Sequence, residues 1–226
     1  MSRRLGFLMV MMEPPPALEE EFNDWYDTEH VPERKAVEGI ETANRFVCVK
    51  GWPRYVALYD LRDAGVIGEP GYAAISGANF SPWSKRILGR VRGLWRAFGE
   101  QLYPGNAPTG PMTRLLLIRF RNVDPADERA VIARTSELFE QRPAVRQVRV
   151  VRNVAETVGE YAALIELLDD VDTGPLGLSA YGELAAHIDA VNEYVPYWSR
   201  GPIAPSTTSL STHSLREPER KTPPLP

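Results

Sequence analysis

The stretch that decides the fold spans residues 19–46, EEEFNDWYDTEHVPERKAVEGIETANRF. Acidic residues open it, where the positive end of a helix dipole favours them, and apolar residues follow at the three- and four-residue spacing of a helix. Pro32 disfavours helical geometry in the residue before it. The pattern therefore predicts a helix that begins near Ala17 and ends near His30, followed by a strand at residues 41–50.

The chemistry of this stretch centres on His30, one of three histidines in the chain. At a predicted helix end the carbonyl dipoles favour an imidazolium, and Asp27 or Tyr26 has the spacing needed to hydrogen-bond the ring. A histidine so placed titrates near neutral pH, which suits a general acid or base. The alternative is that His30 only caps the helix or fills a polar gap. The predicted catalytic residues are His30, Asp27, Tyr26 and Asn23, with Asn23 helping to hold a carbonyl or enolate oxygen.

The segment FNDWYDTEHVPER, followed by Gly39 and the strand ETANRFVCV, resembles the EthD-like branch of the dimeric α+β barrel superfamily, whose first helix carries F-x-x-W/Y-Y-x-x-x-H-x-P. The resemblance implies a ferredoxin-like β-α-β-β-α-β unit, two of which pair their sheets into a barrel. It also implies a pocket between sheet and helices with the histidine at its mouth. Related barrels include cofactor-free monooxygenases, lactone isomerases, polyketide cyclases, decarboxylases and haem enzymes, so the fold does not select an activity.

A largely aromatic set of side chains is predicted to line this pocket and to suit a small cyclic or aromatic substrate. The set is Phe22, Trp25, Arg45, Phe46, Tyr55 and Tyr59. Side chains alternate along a strand, so Arg45 faces away from Phe46 and need not share a cavity with His30. Arg45 either binds an anionic substrate or pairs with an acid such as Glu29 or Asp60, and the pairing is the preferred interpretation.

The second half of the chain repeats the pattern of the first. After a turn-rich segment at residues 103–111, a strand, a helix and two strands follow at residues 114–120, 127–140, 145–154 and 161–167. YAALIEL at residues 161–167 parallels YVALYDL at residues 55–61. We therefore predict an α+β fold in which two tandem ferredoxin-like repeats form a dimeric α+β barrel. The predicted division is residues 1–103 for the first repeat, 104–112 for a linker, 113–202 for a degenerate second repeat and 203–226 for a flexible tail.

The two repeats differ in their chemistry. Residues 134–145, RTSELFEQRPAV, replace WYDTEHVPER and contain no histidine, so one pocket is expected, in the first repeat. His187 is predicted to be a surface or packing residue, and Tyr197 and Trp198 to belong to the last strand and core. Residues 71–103 predict a helix up to about Arg92 and then a strand, with a basic face interpreted as solvated rather than as a binding surface.

Composition narrows the class of protein. The chain has 226 residues and a net charge of −4, which argues against a nucleic-acid binder. Cys48 is the only cysteine, which fits a reducing compartment, and the apolar run at residues 5–12 is short for a signal peptide. These features predict a cytoplasmic protein with no membrane or nucleic-acid partner, and a homodimer is one expectation. No His, Cys or carboxylate set has metal-site spacing, so neither a metal nor another cofactor is predicted.

The predicted function is that of a cofactor-independent enzyme with a histidine acid/base, of the lyase, isomerase or decarboxylase type. Its substrate would be a small cyclic or aromatic carbonyl compound. Two alternatives stay open. One is a cofactor-free or haem-dependent monooxygenase of the same fold, and the other is a non-catalytic protein that binds a small molecule.

Overall fold

A computed structural model describes residues 3–155, 159–169 and 178–197. The strands are β1 (Gly6–Glu13), β2 (Asn44–Lys50), β3 (Tyr55–Leu61), β4 (Arg92–Tyr103), β5 (Arg114–Val123), β6 (Val145–Asn153), β7 (Gly159–Leu167) and β8 (Ile188–Pro196). The α-helices are α1 (Glu19–Trp25), α2 (Val31–Lys35), α3 (Pro70–Ala73), α4 (Pro82–Leu88) and α5 (Glu128–Phe139). A π-helical turn, Tyr26–His30, joins α1 to α2, and the 3-10 segment Leu178–His187 is interrupted by a kink at Gly182.

All eight strands close into one antiparallel barrel in the order β1-β3-β2-β8-β5-β7-β6-β4. Each half of the chain contributes four neighbouring strands with the same internal order. The halves join where β2 pairs with β8, as at Cys48 and Tyr194, and where β4 pairs with β6, as at Gln101 and Val151. The predicted α+β barrel is confirmed, and it closes within a single chain. The division at residues 103 and 113 stays a prediction.

Apolar side chains form three cores, because alternate residues of each strand face opposite sides of the barrel wall. The barrel interior contains Phe7, Met9, Phe46, Leu58, Leu117 and Leu164 among others. The first outer core lies between the wall and the helices of the first half, and it includes Leu8, Phe22, Trp25, Tyr26, Tyr55 and Tyr59. The second outer core lies beneath α5 and includes Phe120, Val131, Phe139, Val150 and Tyr161. The first outer core is the one that holds the predicted site.

A buried ion network ties the two halves together inside the barrel. Arg149 on β6 donates to Asp60 of β3 over 2.8 Å and lies 2.9 Å from Glu166 of β7. All three side chains are fully buried. Asp60 also accepts hydrogen bonds from the hydroxyl of Thr42 and the backbone N–H of Thr109. The network thus connects strands of both halves with the segment between them.

Most predicted strands are confirmed, and the differences lie at helix ends. The fourth strand begins at Arg92 as predicted, but the helix before it is short and ends at Leu88. The first helix does not end near His30, because the chain stays helical to Lys35. Trp198, His213 and the predicted tail lie outside the described residues. No helix within the described ranges is long and apolar enough to cross a membrane.

Candidate functional site

The first helix of the chain passes Pro32 by widening one turn. Pro32 has no N–H to donate, and its ring crowds the carbonyl four residues back. The turn before it is π-helical, and the N–H of Val31 bonds to the carbonyl of Tyr26, five residues back. In an α-helix residues five apart point about 140° away from each other, at 100° per residue. The wider turn instead brings the rings of Trp25 and His30 to 4.3 Å between centroids.

The His30 imidazole is enclosed by aromatic rings on the inner face of this helix. Its side chain is 7% exposed, and the Tyr26 ring meets it edge-on at 5.2 Å. Nδ1 is buried without a hydrogen-bond partner among the described residues. Burial lowers the pKa of His30 well below its usual 6.5, and the positive charges of Arg34 and Arg45 lower it further. The ring is therefore neutral, contrary to the imidazolium expected at a helix end.

We expect folding stability to fall below pH 6.5 because of His30. Its pKa is lower in the folded chain than in the unfolded one, so acid favours the unfolded chain, which binds the proton more readily. This contribution is fully present above pH 6.5 and is lost as the pH falls toward the folded pKa, at up to about 1.4 kcal/mol per pH unit. Urea unfolding above and below pH 6.5 measures it.

The matched variants for this measurement are His30→Gln and His187→Gln. Both remove one imidazole, but only His30 is sealed between aromatic rings. His30→Gln should lose the part of the pH dependence that lies just below pH 6.5, whereas His187→Gln should retain it. Equal pH dependence in wild type and His30→Gln would show that His30 does not resist protonation in the folded chain.

Arg45 pairs with Asp27 rather than with Glu29 or Asp60. Its Nη1 donates to Asp27 Oδ1 over 2.7 Å, and its Nη2 donates to Asn23 Oδ1 over 2.7 Å. The guanidinium also lies 4.2 Å from the ring centroid of Tyr26 and 4.0 Å from that of Tyr197. The preferred interpretation, a structural ion pair, is confirmed with a different partner. This pair fastens the first helix to β2 and to the residue that follows β8.

The prediction that Asp27 or Tyr26 hydrogen-bonds the His30 ring is wrong. Asp27 is occupied by Arg45 and by the hydroxyl of Tyr197, which donates to Oδ2 over 3.2 Å. The Tyr26 hydroxyl points to the sulfur of Met12 at 3.9 Å, and burial raises its pKa to about 12. The cause is geometric, since the prediction assumed an α-helical end where the chain forms a π-helical turn. Whether Asp27 and Tyr26 act in catalysis stays a prediction.

Asn23 is likewise engaged by the protein. Its amide oxygen accepts from Arg45, and its amide nitrogen donates to the Tyr55 hydroxyl over 3.2 Å. The Tyr55 hydroxyl in turn donates to Glu19 over 2.6 Å. Holding an enolate oxygen would require Asn23 to release one of these partners, and its role in catalysis stays a prediction.

The predicted aromatic lining separates into two sides of the barrel wall. Phe22, Trp25, Tyr55 and Tyr59 share the outer core with His30. Phe46 packs in the barrel interior, so its assignment to the same pocket is wrong. The Tyr59 hydroxyl is fully buried without a hydrogen-bond partner among the described residues, and burial raises its pKa well above 10.0. The outer core thus contains two unpaired buried polar atoms, Tyr59 Oη and His30 Nδ1.

Arg34 is a residue of the site that the sequence interpretation passed over. It lies one turn beyond His30 on α2 and is 2% exposed. Its Nη1 donates to the carbonyl of Ile75 over 2.9 Å, and its guanidinium stacks 4.9 Å from the ring centroid of Tyr72. The sequence feature that could have revealed Arg34 is its four-residue spacing from His30. This spacing places both side chains on one helix face if the helix continues past Pro32.

His187 borders a separate cavity of about 440 Å³ between α5 and the 3-10 segment. Its Nδ1 lies 3.1 Å from the carbonyl of Arg121, and its ring is partly exposed, in keeping with the surface assignment. The lining comprises Asp127, Ala130, Ala133, Arg134, Glu137, Tyr181, Glu183, Leu184 and His187. Three carboxylates against one guanidinium make this cavity acidic.

Comparison with solved structures identifies the fold. A structure described as an anthrone oxidase-like protein covers 92% of this chain and 98% of its own, with a TM-score of 0.63 and 14% identity. The match to a candidate chlorite dismutase covers 87% of this chain and 96% of the other, with a TM-score of 0.56 and 8% identity. The match to a heme-binding protein from Thermus thermophilus covers 86% of this chain and 91% of the other, with a TM-score of 0.51 and 12% identity. At these identities the likeness shows the fold alone.

The chain therefore has the fold of the dimeric α+β barrels, as predicted. No family model matches the sequence, and no curated protein does. Assignment to the EthD-like branch rests on the motif around His30 and stays a prediction.

The histidines of the described residues do not fit a haem. A haem on His30 would need a slot for the macrocycle beside the imidazole, but Trp25 and Tyr26 occupy its surroundings and Nδ1 is enclosed. His187 faces a cavity whose carboxylates, from Asp127, Glu137 and Glu183, would repel the haem propionates. Within the described ranges, no three His, Cys, Asp or Glu side chains are grouped to hold a metal ion.

Proposed function

We propose that this chain is an enzyme that removes a proton from the carbon next to the carbonyl of a small cyclic or aromatic compound. The observation that carries the proposal is the neutral, buried imidazole of His30 with an unpaired Nδ1. In the tautomer protonated at Nε2, the Nδ1 lone pair accepts the proton after the Trp25 or Tyr26 ring moves aside to admit the substrate. The C–H bond breaks, its electron pair moves to the carbonyl oxygen, and an enolate forms beside an imidazolium.

The charges around His30 favour this step. Burial, and after it the charges of Arg34 and Arg45, lower the pKa of His30 in the free protein, which keeps the ring neutral and able to accept a proton. The same positive charges would stabilise a negative enolate oxygen, and that oxygen would in turn stabilise the imidazolium. The base is therefore weak without substrate and becomes stronger as the enolate forms.

Two tyrosines are available to donate to the enolate oxygen. Tyr59 has no hydrogen-bond partner among the described residues, and the Tyr26 hydroxyl contacts only a thioether, which is a weak acceptor. Burial raises the pKa of both phenols, so both keep their protons near neutral pH. Aromatic rings from Phe22 and Trp25 complete an apolar surrounding in which such hydrogen bonds are strong.

The fate of the enolate separates the candidate activities. Protonation elsewhere gives an isomerase, expulsion of a leaving group from the β-carbon gives a lyase, and reaction with O₂ gives a monooxygenase without a cofactor. A decarboxylase would form the same enolate by losing CO₂ instead of a proton, and His30 would then return a proton to it. The similar structure described as anthrone oxidase-like draws attention to the last of these, since anthrone is an aromatic ketone with an acidic methylene group. We accordingly include anthrone among the test compounds. A cytoplasmic location and a homodimer stay predictions.

The proposal is tested first by ligand binding. We expect small cyclic or aromatic ketones to raise the melting temperature of the wild type, because a ligand that binds only the folded chain stabilises it by about 2.7 kcal/mol at a hundred times its Kd. His30→Gln should lose or reduce the shift. An absorption spectrum of the purified protein, recorded beforehand, reveals any haem through a Soret band.

The control for the binding screen is His187→Gln, which changes a histidine in the other half of the chain. It should respond to each ketone as the wild type does. If wild type and His30→Gln respond identically to every compound that binds, His30 has a structural role and the proposed activity is withdrawn.

A further inference from the structure

Arg34 is a buried cation that forms no salt bridge within the described residues. Its side chain is almost fully enclosed, and no acidic side chain of the described residues forms a salt bridge with it. Glu33, its neighbour, is near enough for Arg34 to lower its pKa, although burial and Glu29 act in the opposite direction and burial dominates. Buried charges in folded proteins are normally paired, because removing them from water is costly. Arg34 therefore has a positive charge that no acid of the described residues balances and that a bound anion would pair with.

Aromatic rings hold the Arg34 guanidinium in place. Its central carbon lies 4.9 Å from the ring centroid of Tyr72 and 5.8 Å from that of Phe80. Arg96 reaches the same tyrosine from the protein surface, where its Nη2 donates to the Tyr72 hydroxyl over 3.2 Å. Two positive charges thus converge on one ring. Stacking on a ring face leaves guanidinium N–H groups in the guanidinium plane, where they can bind a carboxylate.

One of the unpaired polar atoms of the outer core, His30 Nδ1, belongs to a residue one helical turn from this cation. His30 and Arg34 are four residues apart, a spacing that places side chains on one helix face with roughly 6 Å between their Cβ atoms. His30 Nδ1 and Tyr59 Oη are both buried and unpartnered among the described residues. Unsatisfied buried polar atoms are uncommon and call for an explanation, such as a bound molecule.

Arg45, the other buried guanidinium of this layer, is not an equivalent receptor. Its Nη1 forms a salt bridge with Asp27, and its Nη2 donates to the amide oxygen of Asn23. Among the described residues, Arg34 donates to neither a carboxylate nor a side-chain amide. Its acceptor is the backbone carbonyl of Ile75. The distinction between the two arginines is thus one of charge balance, and it selects Arg34 as the anion-binding residue.

We propose that Arg34 binds the carboxylate of an organic acid whose carbonyl lies against His30, one helical turn away. The substrate class is accordingly a cyclic or aromatic keto acid, in which the ring system spans the distance between the two groups. Arg96 adds positive charge on the solvent side of Tyr72, which favours entry of an anion. This inference rests on the proposed function of His30 and adds the charge of the substrate to it.

The probes for this inference are 6-carboxy-1-tetralone and the corresponding carboxamide. They share one ring system and one ketone, and they differ in the negative charge. Isothermal titration calorimetry on the wild type should show tighter binding of the acid. Arg34→Met should lower the affinity for the acid by about tenfold to a hundredfold, because a hydrogen bond to a charged group is lost. Its affinity for the amide should stay within about threefold of that of the wild type.

The matched control is Arg129→Met, which removes the same charge from an exposed position on α5. It should bind both probes as the wild type does. Arg34→Lys, which keeps the charge but loses the paired N–H groups, should bind the acid with intermediate affinity. If Arg34→Met does not fold, the preference of the wild type for the acid over the amide still decides the question.

The outcomes separate this inference from the proposed function. Equal affinity of the wild type for acid and amide overturns the anion site, while a loss of both in His30→Gln would still support the role of His30. Acid binding that depends on Arg34 but is unchanged in His30→Gln supports the anion site and removes the proposed proton transfer. Failure of both probes to bind the wild type overturns the keto-acid assignment.

Discussion

Replacing Arg149 with methionine is expected to lower the free energy of unfolding by about 3 to 5 kcal/mol. The guanidinium contacts Asp60 at 2.8 Å and Glu166 at 2.9 Å, and its Nη2 also donates to Thr109 over 2.9 Å. Methionine has a similar volume but no charge, so two fully buried carboxylates lose a common cation. The cost arises mainly at Asp60, whose only salt bridge among the described residues is to Arg149, whereas Glu166 keeps its salt bridge to Arg146 at 2.6 Å. Urea unfolding measures the change.

Arg152→Met is the matched control for this prediction. Arg152 lies on the same strand and also contacts two acids, Glu100 and Glu128, at 3.0 and 2.9 Å. Its side chain is 37% exposed, so solvent screens both pairs and the expected loss is about 0 to 1 kcal/mol. If the two substitutions cost the same, the buried network does not stabilise the barrel as described.

The difference in unfolding free energy between the wild type and Arg149→Met should also become smaller as the pH is lowered. Burial raises the pKa of Glu166, and the charge of Arg149 opposes that rise. Without Arg149 the pKa of Glu166 in the folded chain rises further above its unfolded value. A group whose pKa is higher in the folded chain than in the unfolded one stabilises the folded chain as the pH falls. Lowering the pH should therefore recover part of the unfolding free energy that Arg149→Met loses.

Replacing His30 with glutamine is expected to slow proton abstraction by about a hundredfold to ten-thousandfold. Glutamine fits a similar space and keeps a polar group but cannot accept the proton. The readout is exchange of the hydrogens next to the carbonyl of a bound ketone for deuterium in D₂O, followed by NMR. Exchange reports enolate formation whatever the enolate does next, so isomerase, lyase and oxygenase activities are covered by one measurement.

His187→Gln serves as the control for the exchange rate, and circular dichroism verifies that both variants are folded. A rate for His30→Gln within threefold of the wild type would eliminate His30 as the general base. The acid dependence of stability described above is an independent check, since it tests the neutrality of the ring without any substrate.

Local patterns in the sequence determined much of the fold. Strict alternation in YVALYDL placed Tyr55 and Tyr59 on one face of β3, and alternation along β2 placed Arg45 opposite Phe46. The repeated order of strands and helices predicted a barrel of two similar halves. These features follow from a two-residue period that depends only on neighbouring residues.

Partner choice was decided only by the tertiary structure. Asp60 was a suggested partner of Arg45, but β3 turns Asp60 into the barrel interior, where it meets Arg149 from the other half of the chain. Asp27 took its place because the first helix packs across β2. Contacts between residues this far apart depend on how strands pair and helices pack, and no local period encodes that arrangement.

The helix around His30 combines both levels. The sequence by itself determined that an aromatic, acidic helix carries a histidine two residues before Pro32, because spacing and residue type are local. Only the tertiary structure decided that the helix continues through a π-helical turn, that Trp25 seals the imidazole, and that Arg34 joins the site. Proline favours ending a helix, but the burial of Val31 in the first outer core outweighs that preference.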